Sequence, residues 1–251
     1  MSIEIGVVLA GGTGSRLLPL TKRLNKHLLP VNGQPMLHWP LRTLAMLGIE
    51  RAIVVLGGRS CGEVIEHFGS RYDTGKGHLN LVYVHQQGAG GIPAALGCAL
   101  DAVKATQADR VIVILGDNVF PQAPSIHFPT EGGAYVLAKT VPDASSYGCV
   151  PVAPGGEANV HDLVEKPTGP PPVGTEWAAL LGLYALPVFN LVHVLAGLVP
   201  SARGELEIVD VLTAYARIEG LRVHAQRGQW IDAGDPAGYR LANDPAFWSA
   251  P

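Results

Sequence analysis

Four short runs of Val, Ile and Leu, each followed by a stretch of helical period, constrain this chain more than any other feature. The runs are Ile5 to Ala10, Ala52 to Leu56, Leu81 to Val84 and Val111 to Leu115. Apolar residues fill consecutive positions in them, so both faces of each strand need covering, the pattern of a parallel sheet between helical layers. Three amphipathic stretches lie between. Met36 to Leu47 places Leu37, Leu41, Leu44 and Leu47 three and four apart, with Pro40 near its start, where proline does least damage. Ser60 to Phe68 opens on a candidate serine cap, with Glu63 three residues on. Pro93 to Thr106 carries proline in its first turn. The order βαβαβαβ predicts an open α/β sheet whose ligand crevice lies beyond the carboxyl ends of its strands.

The second half changes character. Ala134 to Val141, Gly148 to Val152, Val160 to Glu165 and Leu180 to Leu186 read as strands separated by Pro and Gly clusters. Helical stretches follow at Val188 to Leu198 and at Leu206 to Ile218, where Ile208, Val209, Leu212, Tyr215 and Ile218 line one face. The 31 glycines and 20 prolines act as punctuation and do not gather in a linker. Residues 1–251 are therefore read as a single α/β unit, with halves at 1–130 and 131–251. Hydrophobic residues are 47% of the chain and the net charge is −3, from 18 basic and 21 acidic side chains. That balance excludes disorder and argues against a nucleic-acid or membrane-surface partner. Cys61, Cys98 and Cys149 show no paired spacing, so neither disulfides nor zinc is expected, and all three read as small core residues in a reducing compartment. The apolar runs are of strand length, too short to span a bilayer. MSIEIGVVLAGG carries neither a basic leader nor a cleavage pattern, so a cytoplasmic location is expected.

The most informative segment is LAGGTGSRLLPLTKRLNKHLLP, Leu9 to Pro30, directly after the first strand. Gly11, Gly12 and Gly14 allow positive φ and close backbone approach, and successive N–H groups in such a loop can cradle phosphate. Arg16 and Lys26 add charge, with Lys22 and Arg23 nearby. By itself a glycine turn could be purely structural. The Walker pattern is absent, and GxGxxG fails because Leu17 stands where the third glycine belongs. No acidic residue ends the second strand at Leu56-Gly57-Gly58 either, which disfavours a nicotinamide dehydrogenase. Asp117, closing RVIVILGDN, is placed just past a buried strand and faces the crevice. A buried carboxylate needs a partner, and a divalent cation is a good one. Asp117 alone could equally be a cap or turn residue. Asp232, in WIDAGD, is a second candidate, with Asp235 close enough to cap the next turn. Two carboxylates with waters and phosphate oxygens suit Mg²⁺.

Leu9 to Pro30 resembles the signature of the sugar-1-phosphate nucleotidylyltransferases: Leu-Ala-Gly-Gly-x-Gly-x-Arg, then Lys, with Leu-Pro closing the loop. Gly116-Asp117-Asn118, Glu165-Lys166-Pro167, Gly182-Leu183-Tyr184, SARGELE at Ser201 to Glu207 and Trp230-Ile231-Asp232 agree in order. The last two look most like the glucose-1-phosphate thymidylyltransferases. The resemblance runs from residue 5 to about 240. It implies a Rossmann-like open, mostly parallel sheet with a nucleotide-binding half, 1–130, and a β-rich sugar-phosphate-binding half, 131–251. It further implies Mg²⁺-dependent transfer of a nucleotidyl group from dTTP, or UTP, to glucose 1-phosphate, with release of pyrophosphate.

The resemblance assigns Ala10, Gly11, Gly12, Thr13 and Gly14 to the nucleotide. Arg16 and Lys26 go to the triphosphate, and Lys166 to the sugar phosphate and α-phosphate. Gln86 and Gly91 go to the base; a glutamine amide both donates and accepts, which suits a pyrimidine imide edge. Tyr147, Gly148, Glu165, Gly182 and Arg203 go to the sugar or its phosphate, and Asp117 and Asp232 to the metal. Neighbouring strand residues point to opposite faces, so Glu165 and Lys166 can share a site only if the strand twists or ends there, as Pro167 suggests.

There are departures. Ile92-Pro93-Ala94-Ala95 stands where Leu-Ala-Gln-Ala is usual, and His27 replaces a usual glutamine. Only 19 residues follow Asp232, so the allosteric control of longer members is not carried over. A homo-oligomer is expected. The rival readings are a uridylyl or guanylyl transferase and a non-catalytic nucleotide-sugar-binding regulator. A regulator should have lost Asp117, Lys26, Lys166 or Asp232, and all four stand.

Overall fold

The computed structural model describes residues 4–88, 90–124, 126, 132–156 and 158–249. The first half runs β1 (Glu4–Ala10), β2 (Pro30–Val31), β3 (Gln34–Pro35), α1 (His38–Met46), β4 (Arg51–Leu56), α2 (Cys61–Phe68), β5 (Arg71–Asp73), β6 (His78–His85), α3 (Gly91–Ala105), β7 (Arg110–Leu115) and β8 (Asn118–Val119). The second half adds β9 (Ala134–Thr140), β10 (Gly148–Val152), β11 (Val164–Glu165), β12 (Glu176–Pro187), α4 (Val188–Ala196), α5 (Ile208–Ile218), β13 (Leu221–Ala225), β14 (Ile231–Asp232), α6 (Pro236–Ala242) and α7 (Pro245–Ser249). One ten-stranded sheet carries the order β11-β10-β12-β7-β1-β4-β6-β5, with β9 on β12 and β13 on β9. Its centre, β7-β1-β4-β6, is parallel, in the register Val7↔Ile53 and Val7↔Val113.

Side chains alternate across that centre and feed two apolar layers. Val7, Ile53 and Val113 pack with Leu96, Ala99 and Val103 of α3 and with residues of α4 and α5. Val8, Val54 and Ile112 pack with Leu37, Leu41 and Leu44 and with Phe68. Helices on both faces explain why the strands are apolar throughout. The strand joining the halves is β12. Its first residues pair antiparallel with β10, and Leu183 to Pro187 pair antiparallel with β7. The sheet therefore runs without a break from one half to the other. The expected boundary at 130/131 lies outside the described residues. No helix among the described residues is long and apolar enough to cross a membrane.

Several local expectations need correcting. Ser60 does not cap α2: it sits at φ 57 and its side chain makes no capping bond. The strand expected over 160–165 shrinks to Val164–Glu165. Asn159 takes the intervening residues into a turn, its side chain accepting from the His161 N–H and donating to Asp162, which competes with the ladder. Of the cysteines only Cys149 is buried; Cys98 is exposed and Cys61 half-buried.

Gly6, in the middle of β1, leaves the hollow that Leu44 fills. A Cβ there would stand 2.6 Å from Leu44 Cδ1. Gly6→Ala should destabilise by about 1–3 kcal/mol through overpacking, and Leu44→Ala by about 2–5 kcal/mol through a cavity. In the double variant the new methyl enters that cavity, so urea unfolding should give a loss clearly smaller than the sum. Simple additivity would contradict this packing.

Candidate active site

The parallel strands β1, β4 and β7 all end on the same side of the sheet. The segments leaving β1, β6 and β7, with the β11 and α5 region of the second half, enclose a cavity of ≈ 750 Å³, while Gly57 after β4 packs against Gly11 behind the loop. Gly11 to Arg16, Lys26, Gln86, Gly91, Asp117, Tyr147, Gly148, Glu165, Lys166, Arg203 and Asp232 all line it. Ala10 and Gly182 do not. Ala10 is the buried last residue of β1, behind the glycine loop. Gly182 is packed behind Leu115 and Asn118, and its N–H donates to Asn118 Oδ1. Lys22 and Arg23 are exposed and away from the cavity lining.

The glycine loop is set by close approach. A Cβ on Gly11 would lie 2.0 Å from Gln86 Oε1, so Gln86 can reach over the loop only because residue 11 has no side chain. Gly14 takes φ 70 just before the short 3₁₀ turn Ser15–Leu17 that carries Arg16. A second 3₁₀ turn, Lys26–Leu28, is capped by Asn25, whose side chain accepts from the His27 N–H. It turns Lys26 inward to Asp117, with Nζ 2.7 Å from Oδ2 and both side chains almost wholly buried.

The two aspartates differ in their electrostatics. Burial alone would raise the Asp117 pKa, but the charge and hydrogen bond of Lys26 outweigh it and hold the carboxyl below its ordinary range. Asp232 makes no ion pair among the described residues; its Oδ1 accepts the Gly234 N–H at 2.8 Å. Burial first, and then the negative Asp117, push its pKa well above the ordinary value. The two carboxylates face one small space: a Cβ on Gly234 would be 2.6 Å from Asp117 Oδ2 and 2.8 Å from Asp232 Oδ1. An open space bordered by an under-compensated pair of carboxylates fits a small divalent cation completed by water and phosphate oxygens. No group of three or more His, Cys, Asp or Glu side chains is placed to hold a metal among the described residues. Asp235, expected to cap the next turn, does cap α6, accepting from the Ala237 and Gly238 N–H groups.

Glu165 and Lys166 do share the cavity. The strand β11 stops at Glu165, and Lys166 turns to φ 48, a left-handed conformation rare for a lysine. Its N–H is held by Tyr147 O at 2.9 Å, and its Nζ reaches 3.9 Å from Glu165 Oε1. Arg203 donates to Glu165 at 3.1 Å and to Glu207 at 2.7 Å. Burial, then Glu207, raise the Glu165 pKa. Glu207 was not singled out from the sequence, although it closes SARGELE; it is buried, accepts from Ser201 Oγ as well, and lines the cavity. His27, the unusual residue beside Lys26, is fully buried with its pKa lowered to about 3 by burial and by Lys26, so it is a neutral imidazole beside Gly116. A second groove of ≈ 650 Å³, flanked by Leu17, Leu18, Leu20 and Tyr239, lies outside the loop and carries none of this chemistry.

This arrangement gathers polyanion-binding groups at the carboxyl edge of a parallel sheet, and the comparisons agree with it. The Nucleotidyl transferase family model matches residues 5–246. The chain belongs to that family. It is 33% identical over 246 residues to the low-salt glycan biosynthesis nucleotidyltransferase Agl11 of Haloferax volcanii, spanning 95% of this chain and 64% of that relative. It is 34% identical over 250 residues to a glucose-1-phosphate thymidylyltransferase of Actinoplanes, spanning 95% of this chain and 77% of that one. A Bacillus anthracis structure described as a glucose-1-phosphate thymidylyltransferase, in complex with a sucrose, superposes with a TM-score of 0.80 at 34% identity, covering 99% of this chain and 96% of the other. A UDP-glucose pyrophosphorylase complexed with UDP-glucose shares the fold, with a TM-score of 0.79 at 21% identity and coverage of 99% and 100%.

The Lys26–Asp117 pair is buried, so removing the cation should leave two facing carboxylates unbalanced. Lys26→Met should cost about 3–5 kcal/mol of stability at pH 7.5, measured by urea unfolding. Lys26→Arg should cost much less. Equal stability of Lys26→Met and the unaltered chain would show that the pair carries no weight.

Proposed function

We propose that this chain transfers a nucleotidyl group from a nucleoside triphosphate, dTTP first, to glucose 1-phosphate, giving dTDP-glucose and pyrophosphate. The observation that carries the reading is one cavity lined by the glycine loop, Arg16 and Lys26 of the first half, by Lys166 and Arg203 of the second, and by Asp117 and Asp232. Cations supplied by both halves suit two separate anions that must be brought together.

The reaction is an in-line displacement at the α-phosphorus. The attacking oxygen of the sugar phosphate is already ionised, so no general base is required. The protein's work is positioning and charge compensation. Backbone N–H groups of Gly11 to Gly14 cradle the triphosphate, and Arg16, which has no ion pair among the described residues, meets its terminal phosphates. Lys166 sits between the two substrates and screens their repulsion as they close. Arg203 is already balanced by Glu165 and Glu207, so its part is to hold Glu165 in place for sugar hydroxyls as much as to add charge. Mg²⁺, held by Asp117 and Asp232, would supply charge neutralisation at the α-phosphate. Lys26, paired with Asp117 in this structure, would become available to the triphosphate where that carboxylate instead held the cation. Gln86 reads the imide edge that thymine and uracil share. That makes UTP the natural competitor.

The test is a panel of dTTP, UTP, GTP and CTP with glucose 1-phosphate, scored by pyrophosphate release. The expected order is dTTP, then UTP, with GTP and CTP far behind. A clear preference for GTP or CTP would sink the assignment of the base. Asp117→Asn should lower magnesium-dependent turnover by about 10²–10³-fold while circular dichroism shows the fold retained. Turnover at the original rate in that variant would remove Asp117 from the metal site.

A further inference from the structure

Asp117 and Asp232 come from segments more than a hundred residues apart, and what aligns them is a ladder only two residues long. In it, β14 pairs antiparallel with β8, Asp232 opposite Asn118 and Ile231 opposite Val119. The Ala233 N–H adds a bond to Asp117 O at 2.9 Å. So short a ladder has little rigidity of its own, and a side-chain bond lies across it. Trp230 Nε1–H donates to Asn118 Oδ1 at 2.6 Å. The same oxygen accepts the Gly182 N–H at 3.2 Å. Two donors on one side fix which way the Asn118 amide faces, because the reverse orientation would set its NH₂ against two N–H groups. The NH₂ is thereby turned to Asp117, with Nδ2 3.2 Å from Oδ1. Asn118 is buried, so this amide has no water to exchange with.

The two oxygens of Asp117 therefore have separate duties. Oδ1 is held by Asn118, while Oδ2 takes Lys26 and faces the space beside Gly234. Gly182 belongs to the same device. A Cβ there would stand 2.6 Å from Leu115 Cγ and 2.9 Å from Asn118 Cγ, so any side chain would displace the amide. This accounts for a glycine behind the site rather than in it.

We propose that Trp230 and Asn118 are positioning residues that clamp β14 to β8 and aim the Asp117 carboxylate, so that Asp117 and Asp232 act as one divalent-cation site. The proposal rests on the metal reading above. Neither residue touches the ion; each acts through Asp117. Outer-shell partners of this kind typically change metal affinity by about 10–100-fold.

The experiment measures Mn²⁺ binding to the substrate-free protein by electron paramagnetic resonance, alongside the Mg²⁺ dependence of turnover. Trp230→Phe keeps an aromatic ring and removes only the donor, so it should fold; thermal unfolding checks this. The expected result is Mn²⁺ affinity weaker by about tenfold, a matching rise in half-saturating Mg²⁺, and kcat largely restored at saturating Mg²⁺. Asn118→Ala should show a larger shift in the same direction. Unchanged Mn²⁺ affinity in both folded variants overturns the proposal, as does a fall in kcat that no concentration of Mg²⁺ restores. Failure of the unaltered chain to bind Mn²⁺ would overturn the metal site itself, and this inference with it. The two failures are distinct because the first requires a wild-type signal that the variants leave unmoved.

Discussion

The site depends on how two carboxylates are kept together, buried Asp117 and half-buried Asp232, at the edge of one cavity. Like charges so close and so buried repel strongly, and the protein compensates only one of them. Lys26 takes Asp117, which leaves Asp232 with its acidity weakened. In the proposed reading, a bound divalent cation would relieve this imbalance and bring phosphate with it. Arg203 with Glu165 and Glu207 shows the opposite case, a positive charge fully answered within the protein. Four of the chain's 18 basic side chains, Arg16, Lys26, Lys166 and Arg203, line one cavity, the concentration of positive charge that the proposed polyanionic substrates require.

The fold supplies that concentration. Three parallel strands end side by side, so the loops after Ala10, Leu56 and Leu115 meet although they are far apart in sequence. The strand β12 then carries the sheet into the second half, which returns Tyr147, Lys166 and Arg203 to the other wall. Glycines keep the walls close. Gly91, at φ 84, lies so near Leu206 O that any Cβ would collide with it, which pins the start of α3 to the segment before α5.

Much of this was legible in the sequence. The continuous apolar runs gave the parallel centre because strands covered on both faces cannot alternate polar with apolar. The glycine loop and Asp117 were readable because a strand end followed by small or acidic residues marks the crevice edge. The remaining features carry no periodic signal. The ladder between β8 and β14 is two residues long, and no pattern of that length announces a strand. The Lys26–Asp117 pair spans 91 residues of sequence, and nothing near Asp117 in the chain signals a lysine partner. The left-handed turn at Lys166 resolves how neighbouring residues enter one site, a point that strand alternation left open. Ser60 misled because its sequence context suits a cap while its backbone adopts a conformation in which the side chain cannot reach the helix N–H groups.

Two mutually repelling substrates are proposed to meet in this cavity, between cations supplied by both halves of the chain. A crystal structure with dTDP-glucose and Mg²⁺ tests this most directly. The diphosphate is expected between the Gly11–Arg16 loop and Lys166, the base against Gln86, the sugar beside Glu165, and Lys26 withdrawn from Asp117. A nucleotide sugar found outside this cavity, or bound within it while Lys26 stays paired to Asp117 and the aspartates touch no cation, would contradict it.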